Sequence, residues 1–355
     1  MASMPRDDAA RASQLVVIGV DTHKEFHVAV ALDTLGRRLG ELAVPTNAEG
    51  YATLERWALA FGQPQAWGVE GTGSYGAGLS RYLHRQGWHV IEVDRPNRQV
   101  RRKRGKDDAI DAEQAARAVL AGTATTLPKA ADGAAEMIRL LKLTRDSAIK
   151  SRTQTICQIE SVLITAPADL REELRRLPRK ELIAKCGRFR VPASPANVIE
   201  ATRYALRTLS RRYLALRAEA DELTIQIKDL VTTYAPNLMT HVGVGPDNAA
   251  ALLLAVGDNP KRMRSEAAFA ALCGVSPVPA SSGNTQRHRL NRGGDRQANC
   301  ALHRIVIVRM QWHEPTKRYV ERRLAEGKQR KEIIRCLKRF TARQLYPVLT
   351  NANAV

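Results

Sequence analysis

Apolar and polar positions fall into alternating blocks along the first third of the chain. Leu15–Val20 is an unbroken apolar run closed by Asp21, followed by Phe26–Leu32 and Leu39–Val44 with the turn Asp33-Thr34-Leu35-Gly36 between them. This spacing predicts a strand followed by a hairpin. Thr46-Asn47-Ala48-Glu49 matches a capping box and opens a helical pattern, Tyr51, Leu54, Trp57 and Ala58, that stops at Gly62-Gln63-Pro64. Ala66–Glu70 then reads as a short buried strand, Leu79–Arg85 as a helix closed by Gly87, Trp88–Val93 as a further strand, and Asp107–Leu120 as a helix ended by Gly122. Strands alternating with helices predict an α/β domain with a mixed sheet.

The pattern changes after about Ala134, where the β signal fades. Leu206, Leu209, Tyr213, Leu216, Ala220, Leu223, Ile227 and Leu230 repeat at alternating steps of three and four, the seam of a coiled coil over more than three heptads. Met137, Leu140, Leu141 and Leu143 begin a partner helix running to about Thr165, before Pro167. An intramolecular helical hairpin and an intermolecular coiled coil both satisfy the repeat. The last third has an apolar helix over Ala249–Val256, another around Ser265–Leu272, a loop from Pro277 to Asn284, and helices over Ala298–Gln311 and Thr316–Tyr346. The expected organisation is a loose tail at 1–13, an α/β domain at 14–125, a helical linker at 126–235 and a mainly helical domain at 236–355.

Charge sharpens the reading, since 56 Lys and Arg against 36 Asp and Glu give a net +20 over 355 residues. The excess is +1 in residues 1–125, +7 in 126–235 and +12 in 236–355. A polyanionic partner follows. Aromatics are 5%, too few for a surface that reads single strands chiefly by stacking, so phosphate contact should dominate. No apolar run approaches the length of a membrane span, and the first dozen residues lack the apolar core of a signal peptide, so a cytoplasmic protein without membrane contact is expected. Cys157, Cys186, Cys273, Cys300 and Cys336 are scattered and odd in number, which argues against a disulfide framework or a zinc site.

Four acidic residues stand where burial is costly unless a cation shares the site. Asp21 ends one apolar strand, Glu70 ends another, and Asp108 and Asp111 are spaced to share one helix face. Carboxylates at the ends of neighbouring strands converge at one sheet edge, where a flanking helix can add two more oxygen ligands. Oxygen-only sets suit Mg2+ or Mn2+, and two such ions can clamp a phosphodiester during in-line attack. Each acid alone has an ordinary reading as a turn residue, a cap or a favoured charge at a helix N-terminus. The basic run Arg95, Arg98, Arg101, Arg102, Lys103, Arg104 and Lys106 just upstream strengthens the set, although such a run is usually a solvated loop.

These segments carry a family resemblance. Ile18-Gly-Val-Asp21-Thr-His-Lys, Glu70-Gly-Thr-Gly-Ser-Tyr75 and Lys106-Asp-Asp108-Ala-Ile-Asp111-Ala resemble the DEDD set of insertion-sequence-110 transposases and Piv-type DNA invertases. Val242-Gly-Val-Gly-Pro246, Leu272-Cys-Gly-Val-Ser-Pro277, and Ser282-Gly283 with Arg292-Gly-Gly-Asp-Arg296 resemble that family's C-terminal transposase domain. Asp107 departs from the family, which often has Thr or another small residue there. The resemblance implies a RuvC-like, RNase H-type N-terminal domain, a helical coiled-coil linker that helps dimers pair into tetramers, and a C-terminal domain supplying a nucleophilic serine. It also implies recombination of donor and target duplex DNA directed by a structured bridge RNA.

On this reading Asp21, Glu70, Asp108 and Asp111 are catalytic metal ligands for Mg2+ or Mn2+, and Ser282 is the nucleophile, with Ser281 a rival. A hydroxyl that attacks a phosphodiester stores the bond as a phosphoserine ester, so strands can be exchanged without external energy. Arg287, Arg289, Arg292 and Arg296 could hold the scissile phosphate. Gly243 and Gly245 resemble the turn of a helix-hairpin-helix, whose backbone N–H groups bind phosphates; a plain glycine-rich turn before a helix is the alternative. Arg98, Arg101, Arg102, Lys103, Arg104 and Lys106 complete the candidate nucleic-acid contacts. The competing function is a RuvC-like nuclease in which water attacks. A sugar kinase, suggested by Gly19-Val-Asp21-Thr, lacks a second glycine-rich phosphate motif, and a non-enzymatic scaffold would tolerate loss of the carboxylates.

Overall fold

A computed structural model describes residues 14–94, 107–285 and 287–351. The chain separates into two compact units, the described part of Met1–Ala135 with Val256–Phe269, and Glu136–Ala255 with Ala270–Val355.

The first unit is a mixed α/β layer structure. Strands β1 (Leu15–Thr22), β2 (Phe26–Asp33), β3 (Arg38–Pro45), β4 (Gln63–Glu70) and β5 (Val90–Val93) form one sheet in the order β3-β2-β1-β4-β5. β1, β2 and β3 pair antiparallel, and β1, β4 and β5 pair parallel. Helices α1 (Ala48–Leu59) and α2 (Ala77–Arg85) carry Leu54, Ala58, Leu79 and Leu83 into a core with Ile18, Val20, Ala29, Trp67 and Val69. Helix α3 (Asp108–Leu120) covers the opposite face, with Ala109, Ala112 and Ala116 against Val17, Val28, Val30 and Leu32. Covering both faces explains why β1 and β2 are continuous apolar runs and not alternating ones. The cap of α1 is Asn47, whose Oδ1 accepts from Gly50 N at 2.8 Å, whereas Thr46 Oγ1 donates to Lys24 O. The capping box expected from Thr46 does not form: the cap falls one residue later, on Asn47, whose N3 residue Gly50 has no side chain to reach back, and the Thr46 hydroxyl bonds the β1–β2 loop instead.

Val256–Phe269 returns to this unit from far along the chain. Asn259 accepts from Ala130 N and donates to Pro128 O, Asp258 Oδ1 accepts from Ala135 N, and Arg262 Nε donates to Leu127 O. These bonds satisfy backbone groups of an irregular stretch that has no ladder of its own.

The second unit is mainly helical: α4 (Ala134–Ile164), α5 (Ala168–Arg175), α6 (Arg179–Gly187), α7 (Val198–Tyr234), α8 (Pro246–Val256), α9 (Glu266–Leu272), α10 (Arg296–Trp312), α11 (Glu314–Ala325) and α12 (Arg330–Asn351), of which α4, α8 and α9 each have an end in the first. Ile156 and Ile159 of α4, Leu170, Leu174, Leu182, Ile183 and Leu206 share one core. All eight seam positions of α7 are buried or half-buried, and Arg145 Nε of α4 donates to Thr224 Oγ1 of α7 at 2.9 Å. The single helix expected over Thr316–Tyr346 is two helices, because the chain turns at Gly327, where Lys328 N donates to Arg323 O. Strands β6 (Val278–Pro279) and β7 (His288–Arg289) make the segment expected as a loop into a hairpin. Among the described residues, no helix is long and apolar enough to cross a membrane.

Candidate active site

β1 and β4 run parallel with Val20 opposite Val69, so Asp21 and Glu70 leave the sheet side by side. Thr22 Oγ1 ties the two ends by donating to Glu70 O at 2.9 Å. Alternation along the strands turns Asp21 and Glu70 toward α3, since Val20 and Val69 face the other core. Gly19 and Gly68, paired in register, set the height of that helix. A Cβ on Gly19 would lie 2.0 Å from Ala112 O, and one on Gly68 would lie 2.9 Å from Ala115 O. Two adjacent glycines thus make a notch in which an alanine-faced helix lies against bare backbone, and its first turn reaches the strand ends.

Asp107 is the N-cap of α3, with Oδ1 accepting from Ala109 N at 3.0 Å. The additional acid in the motif therefore has a structural job. Asp111 is buried, while the Asp108 side chain is 33% exposed. His23 Nε2 lies 3.2 Å from both Asp21 Oδ2 and Asp108 Oδ2, with its ring centroid 5.0 Å from that of Phe26. One ligand atom from each of Asp21, His23 and Asp108 lies within 4.8 Å of the others. The distances suit hydrogen bonds but the directions do not, and Nε2 is buried without a hydrogen-bond partner among the described residues. Burial pushes the Asp21 carboxyl above its ordinary range; His23 opposes the shift, and Asp111 and Asp108 add to it. Clustered carboxylates, one of them forced upward by burial and by its neighbours, are what a divalent cation relieves, so the residues fit an oxygen-preferring metal.

His23 is the member of this site that sequence reading did not single out. The available signal was its position two residues beyond Asp21, just past the end of β1.

Ser282 lies at the tip of the β6–β7 hairpin. Ser282 N donates to Thr285 O and Thr285 N to Ser282 O, closing a turn through Gly283 and Asn284. Ser281 Oγ accepts from Arg287 N at 3.2 Å, whereas the Ser282 hydroxyl makes no hydrogen bond among the described residues. The base of the hairpin is stitched by Asp295 N donating to Leu272 O at 2.6 Å and by Asn299 Nδ2 donating to Cys273 O at 2.7 Å. Arg287, Arg289, Arg292 and Arg296 are all exposed and form no ion pair among the described residues. Gly243 has a φ of +84°, and a Cβ there would meet Ile305 O at 2.9 Å, so it lets the turn pack on α10, while Gly245 borders open space. Asp247, next in the first turn of α8, is held by Arg145 at 2.7 Å, Arg304 at 2.8 Å and Lys142 at 3.2 Å. Burial would raise its carboxyl, but the Arg145 and Lys142 contacts bring it below the usual range. Arg98, Arg101, Arg102, Lys103, Arg104 and Lys106 lie outside the described residues.

Two family models match the chain. Residues 18–166 match a DEDD model described as "Transposase", and residues 235–321 match one described as "Transposase IS116/IS110/IS902 family". No curated protein matches it.

Proposed function

The chain belongs to the IS110 family of transposases, and on that premise we propose that it cuts and rejoins DNA strands of a mobile insertion sequence through a transient phosphoserine bond. A DEDD transposase domain implies dependence on a divalent metal. The observation that carries the reading is the convergence of Asp21 and Asp108 on His23, with Glu70 beside Asp21 in the sheet and Asp111 close enough to raise the Asp21 pKa. The strand order is consistent with an RNase H-like domain of RuvC type. Mg2+ or Mn2+ held at these carboxylates would supply a Lewis acid on a phosphoryl oxygen.

Ser282 Oγ is assigned the attack on phosphorus. The bond from phosphorus to the leaving sugar oxygen breaks, that oxygen takes up a proton, and reversal onto a new strand end frees the serine. Support for Ser282 over Ser281 comes from the hairpin, where the Ser281 hydroxyl is committed to Arg287 N. The exposed Arg287, Arg289, Arg292 and Arg296 suit the charge of a bound phosphate. A bridge RNA as guide and donor and target duplexes as substrates fit the net charge of +20. Assembly into dimers and tetramers is assigned to α7, where the seam residues Leu216, Leu223 and Leu230 are only half-buried in a single chain.

Trapping the complex, digesting it with nuclease and sequencing the adduct by mass spectrometry tests the mechanism. Nucleotide on Ser282 is expected, with adduct and recombination lost in Ser282→Ala and at least partly kept in Ser281→Ala. Nucleotide on Ser281, or recombination without any adduct, overturns the assignment; the latter moves the chemistry to attack by water.

A further inference from the structure

We infer that His23 is a nitrogen ligand of the metal centre, so that the site is a mixed N/O set preferring a first-row transition ion such as Mn2+ over Mg2+. This rests on the carboxylate reading above and adds to it a residue outside the DEDD set. The His23 Nε2 atom sits equidistant from one oxygen of Asp21 and one of Asp108, at 3.2 Å from each. Two ligand atoms bound at right angles to one ion at about 2.1 Å stand about 3.0 Å apart, so this spacing is that of neighbouring positions in one coordination shell. Nε2 is buried and makes no hydrogen bond among the described residues, although two carboxylate oxygens flank it. A nitrogen with only that use left to it, aimed between two carboxylates, is placed as a ligand and not as a structural donor. Phe26, 5.0 Å from the imidazole centroid, limits the ring's excursions.

Imidazole favours transition ions, whereas all-oxygen sets suit Mg2+. Removing it should therefore change which metal binds more than whether metal binds.

Electron spin-echo measurements on the nucleic-acid-free protein loaded with Mn2+ alone read this directly. Wild type should show 14N coupling from a bound imidazole, and His23→Ala and His23→Gln should both lose it. Their Mn2+ affinity should fall about tenfold, with Mg2+ affinity changed much less. Absence of 14N coupling in wild type, or equal loss of Mn2+ and Mg2+ affinity in both variants, overturns the inference. Asp21→Asn separates the two claims. It should abolish Mn2+ binding; if it instead leaves Mn2+ bound with the nitrogen coupling intact, the carboxylate reading fails while ligation by His23 stands.

Discussion

At the scale of single residues, His23 and His27 of the first unit have opposite surroundings. His23 stands between carboxylates, whereas His27, four residues on, is fully buried on β2, stacks on Tyr51 at 5.9 Å, and has no hydrogen-bond partner for either ring nitrogen among the described residues. Burial lowers the His27 pKa to about 4. Because the folded value lies below that of the unfolded chain, its stabilising effect is fully present above about pH 6.5 and is lost as pH falls through that value toward about 4. Thermal unfolding of wild type should weaken through this window, and His27→Phe, which keeps the ring without a titrating nitrogen, should flatten that dependence. An equally steep acid loss in His27→Phe would assign the effect to other groups. Asp107 gives a second lesson at this scale. Three consecutive-looking acids in one motif divide into a cap and two site residues only because the Asp107 side chain turns back to Ala109 N.

Among the elements, the pairing of α3 with β1 and β4 decides whether the carboxylates meet. Gly19 and Gly68 let the helix lie on the backbone, and its alanines leave no side chain to hold it off. Gly19→Ala puts a methyl 2.0 Å from Ala112 O, which the helix can escape only by moving away from the strand ends. Overpacking of this kind costs about 1–3 kcal/mol, so a lower Tm is expected together with loss of bound Mn2+. Gly73→Ala, where nothing lies within 4 Å, should leave Tm unchanged. If Gly19→Ala retains wild-type Tm and metal affinity, the glycine notch is not what positions the site. The β6–β7 hairpin works by a comparable logic. Its base is fastened to Leu272 and Cys273 by Asp295 N and Asn299, while the Ser282 tip is free of side-chain bonds among the described residues.

Across the whole molecule, charge is distributed unevenly, with the +12 excess in the last 120 residues against +1 in residues 1–125. A charge-balanced first third suits a metal site, and a cationic last third suits phosphate contact. Affinity for duplex DNA should therefore fall steeply with salt, with a log–log slope near about −0.9 for each neutralised phosphate. Substituting Arg287, Arg289, Arg292 and Arg296 by Ala should reduce that slope, and filter binding over a salt series measures both. A flat response would make these arginines ordinary solvated surface.

Much of this was legible from residue order. Apolar runs located the strands, their closing acids located Asp21 and Glu70, and the three–four repeat located the buried face of α7, because strand and helix periodicity are local properties of the backbone. The family resemblance rested on the same short segments. What stayed hidden depended on residues distant in sequence. Gly19 and Gly68 become a notch only when parallel register sets them side by side, His23 becomes a site residue only when α3 brings Asp108 to it, and Val256–Phe269 reveals its place only by bonding to Leu127, Pro128, Ala130 and Ala135. The bond from Arg287 N to Ser281 Oγ, which distinguishes the two neighbouring serines of the hairpin, likewise exists only in the folded chain. Periodicity reports which face an element buries, but the partner on that face is chosen by register and close approach, which exist only once the chain has folded.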